Sequence, residues 1–105
     1  MDTEPSEAVF SALADPVRRQ ILDTLSEGPA NVTALAAAFP ISRPAVSRHL
    51  RKLKEAGLVD LRSPNRKDVY VLRLEALVTV DQWLQRYRRF WDRRLIELAG
   101  RFEAS

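Results

Sequence analysis

The chain has 105 residues, 46% of them apolar, enough for one compact domain whose modest core an oligomer would reinforce. It contains no cysteine, which excludes a disulfide framework and thiolate metal ligands. Its apolar runs last only a few residues, which excludes a bilayer-spanning helix of ~20. Net charge is +3 and unevenly spread. Residues 41–73 hold nine Lys and Arg against Glu55, Asp60 and Asp68, whereas residues 1–30 hold Arg18 and Arg19 against six acids. The positive middle suggests a polyanionic partner, with a merely solvated surface as the plain alternative. The acidic start is the opposite of a secretory signal's basic one, so a cytoplasmic location is expected.

Ser6 is placed to cap a short first helix carrying Val9, Phe10 and Leu13. Asp15-Pro16 is a strong second start, an acidic cap with proline at the first helical position. Val17, Ile21 and Leu25 follow at helical spacing, and Gly28-Pro29 ends the run. Asn31 can cap a third helix over 32–39, closed by Pro40. Ser42 then caps a fourth, in whose first turn Pro44 costs no hydrogen bond, and Gly57 closes it, giving 43–56. Two strands, 58–62 and 69–74, flank the turn Ser63-Pro64-Asn65-Arg66-Lys67-Asp68. A last helix over 75–99 sets Leu77, Val80, Trp83, Leu84, Tyr87, Phe90, Trp91, Leu95 and Leu98 within ~140° of a helical wheel. That stripe is too broad for one small domain to cover and is expected to be dimer core, with a ligand pocket as the lesser reading. The arginines of the same helix, Arg86, Arg88, Arg89, Arg93 and Arg94, fit a solvated face with ion pairs to Asp92 and Glu97.

On the same wheel the fourth helix divides cleanly. Val46, Leu50 and Leu53 form a core face flanked by Ala45, His49 and Ala56. Arg43, Pro44, Ser47 and Arg48 lie outward at the N-terminal end, where a helix entering a major groove meets base edges. Arg51 and Lys54, further along, suit phosphates. Two short helices joined by a tight turn make a helix-turn-helix, and the hairpin adds Arg62, Asn65, Arg66 and Lys67 as a basic wing. His49 and Ser47 point about 200° apart, so they do not pair as base and nucleophile. No enzyme activity and no cofactor are expected. The residues alone leave Arg18 and Arg19 open between phosphate contacts and intramolecular or solvated pairs.

The segments ALADPVRRQIL (residues 12–22) and ISRPAVSRHLRKLKEAGLV (41–59) resemble the ArsR family of winged helix-turn-helix transcription regulators, and the likeness runs over about 8–74. The resemblance implies a single mainly α domain over 1–105, with about five helices and a two-stranded wing. It implies a homodimeric repressor on an inverted-repeat operator, with double-stranded DNA and a second copy as partners. The positions matching Arg43, Pro44, Ser47 and Arg48 face DNA in the family, and dimerisation uses the first and last helices, here around Val9, Phe10, Leu13 and the stripe from Leu77 to Leu98. Many members sense metal through cysteine pairs or His/Asp clusters; with no cysteine and only His49, this chain looks like the non-metal branch. Its aromatic run Trp83, Tyr87, Phe90, Trp91 fits that branch, which leaves a small molecule, a protein or no effector at all as the signal for release. The wing turn departs from the family pattern in lacking glycine, with Asn65 able to take the left-handed conformation. The reading set against a regulator is a winged helix used to bind an acidic protein partner.

Overall fold

The structure is a computed structural model that describes residues 5–63 and 67–104, without the side chains of 5, 6, 91, 92, 95 and 101–104. The chain is mainly helical: α1 (Pro5–Leu13), α2 (Pro16–Ser26), α3 (Val32–Ala38), α4 (Arg43–Glu55), β1 (Val59–Arg62), β2 (Val69–Leu72), a 3-10 turn (Leu74–Ala76) and α5 (Leu77–Ala104). The helix α1 starts at Pro5, one residue before Ser6, so Ser6 lies inside the helix and not at the cap position expected for it. Asp15 caps α2 as expected, its carboxylate accepting from the Val17 and Arg18 N–H groups at 2.8 and 3.2 Å. The Asn31 side chain caps α3 through the Ala34 N–H. That helix stops at Ala38, one residue short of expectation, because Phe39 precedes Pro40 and takes the extended conformation such residues favour.

The fourth helix shows why its flanking residues were informative. Ser42 Oγ accepts from the Ala45 N–H at 3.3 Å, and Pro44 sits in the first turn. At the other end Gly57 has φ +79°, its N–H donates to Lys54 O, and the Leu58 N–H donates to Leu53 O. This is a Schellman closure, and the Leu53 and Leu58 side chains that flank it are both fully buried.

The hairpin is antiparallel in the register Val59↔Leu72 to Arg62↔Val69, and Arg73 N–H to Leu58 O extends it by one bond. Ser63 Oγ donates to Asp68 Oδ1 at 2.6 Å across the base of its turn. Ala30, in the connection before α3, bonds Tyr70 in both directions and so docks the α2–α3 joint on β2. Beyond β2 the chain forms the 3-10 turn where the final helix was expected to begin, so α5 starts at Leu77 and continues past Gly100.

The core is one cluster built from the first four helices and the start of the hairpin: Val9 and Ala12 from α1, Ile21, Leu22 and Leu25 from α2, Leu35 from α3, Val46, Leu50 and Leu53 from α4, with Leu58 and Val59. Leu13, Leu77 and Val80 pack partly buried against it, fixing the start of α5 to the body. Among the described residues no helix is long and apolar enough to cross a membrane.

Candidate nucleic-acid interface

The side chains of Val46, Leu50 and Leu53 have no solvent exposure, so α4 is held along its whole length by one face. Each such residue contributes roughly 2–5 kcal/mol against truncation to alanine, which makes this helix a rigid platform. Its opposite face is open: Arg43, Pro44, Ser47, Arg48, Arg51 and Lys54 are all exposed. Lys52, which the sequence reading left unassigned, is exposed too and sits one turn beyond Arg48. Ala45 and His49 are half-buried at the flanks, as the wheel requires.

Among the described residues the cations of α4 have no ion-pair partner within the protein. Among the described residues, ion pairs join Arg18 to Asp15, Arg62 to Asp60, Arg73 to Glu75 and Arg88 to Asp81, and none includes a side chain of α4. Five unpaired positive charges on one exposed helix are available to an external anion. The wing adds Arg62 and Lys67, both exposed, on the strand and turn that follow. Asn65 and Arg66, expected at the tip, lie outside the described residues. Arg62 is shared with Asp60 at 3.8 Å, so its charge is partly offset inside the hairpin.

Arg18 and Arg19 are intramolecular. Arg18 Nε and Nη2 donate to Ala12 O and Ser11 O at 2.7 and 3.0 Å, and Arg19 Nη1 donates to Leu13 O at 2.6 Å. They cover the free carbonyls at the end of α1, where the helix dipole favours positive charge. Burial pushes the neighbouring Asp15 carboxyl up, but the Arg18 and Val17 N–H groups, with the Arg18 guanidinium, outweigh it and hold the carboxyl below its ordinary value.

α1 and α5 pack against each other. Phe10 packs edge-to-face on Trp83 with ring centroids 5.6 Å apart, and Trp83 does the same to Tyr87 at 5.4 Å. Trp83, Tyr87 and Phe90 remain 43%, 43% and 58% exposed, a cluster of large apolar side chains of the kind that marks an interaction surface. Leu84 is half-buried, while the Trp91 and Leu95 side chains lie outside the described residues. Val9 was expected on this face and belongs elsewhere: it is 2% exposed, turned with Ala12 into the protomer's own core. Leu13 and Val80 likewise spend much of their surface on that core. On this arginine-rich face Arg88 pairs with Asp81, two turns back; the side chain of Asp92, one of the two acids expected to pair there, lies outside the described residues.

Comparison with known proteins agrees with this architecture. A family model described as bacterial regulatory protein, arsR family, matches residues 15–60, from the cap of α2 into β1. The HTH-type transcriptional regulator Rv2034 of Mycobacterium tuberculosis is 43% identical over 89 residues, 85% of this chain and 80% of that protein. The transcriptional repressor SdpR of Bacillus subtilis is 41% identical over 63 residues, 60% of this chain and 67% of that one. Among solved structures, the homodimeric winged helix-turn-helix DNA-binding domain Mb0332 of Mycobacterium bovis superposes with a TM-score of 0.65 at 28% identity, over 85% of this chain and 84% of that chain. A helix-turn-helix with a basic hairpin beside it, and a close relative matched over most of both chains, lead to one assignment: this chain belongs to the ArsR family of bacterial regulatory proteins, DNA-binding winged helix-turn-helix regulators of transcription.

Proposed function

We propose that the chain is a homodimeric repressor that binds an imperfect inverted repeat in double-stranded DNA. The observation that carries this reading is the row of unpaired cations on the exposed face of a helix anchored by three fully buried side chains. Arg43, Pro44, Ser47 and Arg48 read base edges, arginine through guanine O6 and N7 and Pro44 against a thymine methyl. Arg51, Lys52 and Lys54 hold phosphates, and Arg62, Asn65, Arg66 and Lys67 follow the backbone as a wing. The whole chain acts as one domain in the cytoplasm, with 43–56 recognising DNA, 58–74 as wing and 75–99 pairing with a second copy.

The second copy is supported by the exposed aromatic face of α5 and by the homodimeric state of the Mycobacterium bovis domain. Repression is supported by the similarity to SdpR, which is named a repressor. The signal that releases DNA is proposed not to be a metal, since a chain without cysteine and with one histidine has few soft ligands to offer. Selection of bound sequences from a random duplex pool tests the reading. An enriched inverted repeat with half-site centres about one turn, ~34 Å, apart supports it. A pool that never converges favours a winged helix that meets an acidic protein instead.

A further inference from the structure

Arg18 is a cation that the groove-facing surface does not use. Its side chain is only 14% exposed, and three of its nitrogens are engaged by three different elements. Nε and Nη2 donate to the last turn of α1, at Ala12 O and Ser11 O. Nη1 lies 3.9 Å from the Asp15 carboxylate that caps α2, and 3.5 Å from His49 Nδ1 in the middle of α4. A guanidinium carries donors only, so the ring nitrogen facing it is an acceptor, which puts the proton of a neutral His49 on Nε2. At 3.5 Å the contact is long for a hydrogen bond, so its contribution is orientation more than strength.

We propose that Arg18 and His49 are positioning residues for DNA recognition: they brace α4 against the C-terminal end of α1 and so set the angle at which Arg43, Ser47 and Arg48 enter the groove. The inference rests on the DNA-binding reading above. His49 follows Arg48 directly and is half-buried between the core face and the reading face, so tilting its ring tilts the edge of the helix that carries Arg48. The other end of the brace leads to the second copy. α1 carries Phe10, which packs on Trp83 of α5, so the spacing of two recognition helices across a dimer is transmitted through the same contact. Bidentate base contacts depend on that geometry, whereas phosphate contacts tolerate its loss. A failing brace therefore costs specificity before affinity.

The test compares His49→Leu, His49→Gln, Arg18→Met and the double variant His49→Leu/Arg18→Met, each on the selected DNA site and on an unrelated duplex. Sedimentation of the free proteins and Arg48→Ala serve as references. His49→Leu is expected to lose about tenfold in affinity for the selected site while staying within about twofold of wild type on unrelated DNA, with an unchanged salt slope and an unchanged dimer. His49→Gln, whose amide oxygen can accept from Arg18, restores most of the loss. The double variant is no weaker than the weaker single, because either change alone already removes the brace. Nitrogen-15 spectra of the wild-type ring report the Nε2–H form. Where Arg18→Met fails to fold, the two His49 variants and the ring spectra still decide.

Full specific affinity in His49→Leu, alongside a weakened Arg48→Ala, overturns the brace and leaves the DNA reading standing. Equal losses on both DNAs with a shallower salt slope make His49 a phosphate contact and overturn it too. So do losses that add in the double variant, or an Nδ1-protonated ring. A wild type that fails to distinguish the two DNAs removes the DNA reading and this inference with it.

Discussion

Asp15 shows how much one residue does locally. It caps α2 with two accepted N–H bonds and stands beside the Arg18 guanidinium, and together these hold its carboxyl below the ordinary value despite burial. Folding lowers that pKa, so the stabilisation is complete above the ordinary carboxylate range and is lost as pH falls through the lowered value. Asp15→Ala is expected to cost about 1 kcal/mol at neutral pH in urea unfolding, with the gap to wild type narrowing in acid. A gap that widened in acid would show that the carboxylate is not what stabilises this corner. The proposed DNA contacts separate by kind in the same way. Arg43→Ala should weaken binding to the selected site by ~1–3 kcal/mol and relax one base preference. Lys67→Ala should weaken all duplexes alike and reduce the salt slope by about one ion. The cap at Asp15 was legible in the sequence because cap and helix are adjacent. The role of Arg18 was not, because its partner His49 lies 31 positions away and no local pattern records that meeting.

The fourth helix is the element on which the proposed function depends, and its limits follow from three residues. Ser42, Pro44 and Gly57 start and stop it by local chemistry, which is why its extent was legible to within a residue. Gly57 takes φ +79°, and a Cβ there would meet nothing closer than Ala76 Cβ at 3.9 Å, so the cost of substitution is conformational and not steric. Gly57→Ala is expected to destabilise the fold by about 1 kcal/mol in thermal unfolding while leaving DNA specificity intact at temperatures where the protein is folded. No loss of stability would show that the closure of α4 tolerates a side chain there. The exposed and buried faces of this helix followed from its period. The bridge between Ala30 and Tyr70 did not, since a two-residue pairing has no period to detect. Nor did the 3-10 turn at Leu74–Ala76, which carries no side-chain cap to mark it.

At the scale of the molecule, the described residues present a basic face on α4 and the wing and an aromatic face on α1 and α5. Trp83, Tyr87 and Phe90 leave apolar surface exposed, and in the proposed dimer a second copy covers it by symmetry. Phe90→Glu is therefore expected to shift the protein toward monomer in sedimentation equilibrium and to weaken binding to a two-half-site duplex far more than to a single half-site. A wild type that sediments as a monomer at micromolar concentration would remove the dimer. Sequence pattern drew this aromatic stripe along α5 and put Val9 beside it, because a helix as short as α1 offers too few turns to tell its inner face from its outer one.

The central claim is that the N-terminal half of α4 reads base sequence. It is tested most directly by measuring the affinities of wild type and Arg48→Ala for the selected site and for a scrambled duplex, across a range of salt. Arg48→Ala is predicted to lose about 1–3 kcal/mol on the selected site and much less on the scrambled one, with selectivity falling accordingly. An Arg48→Ala protein as tight and as selective as wild type would contradict it.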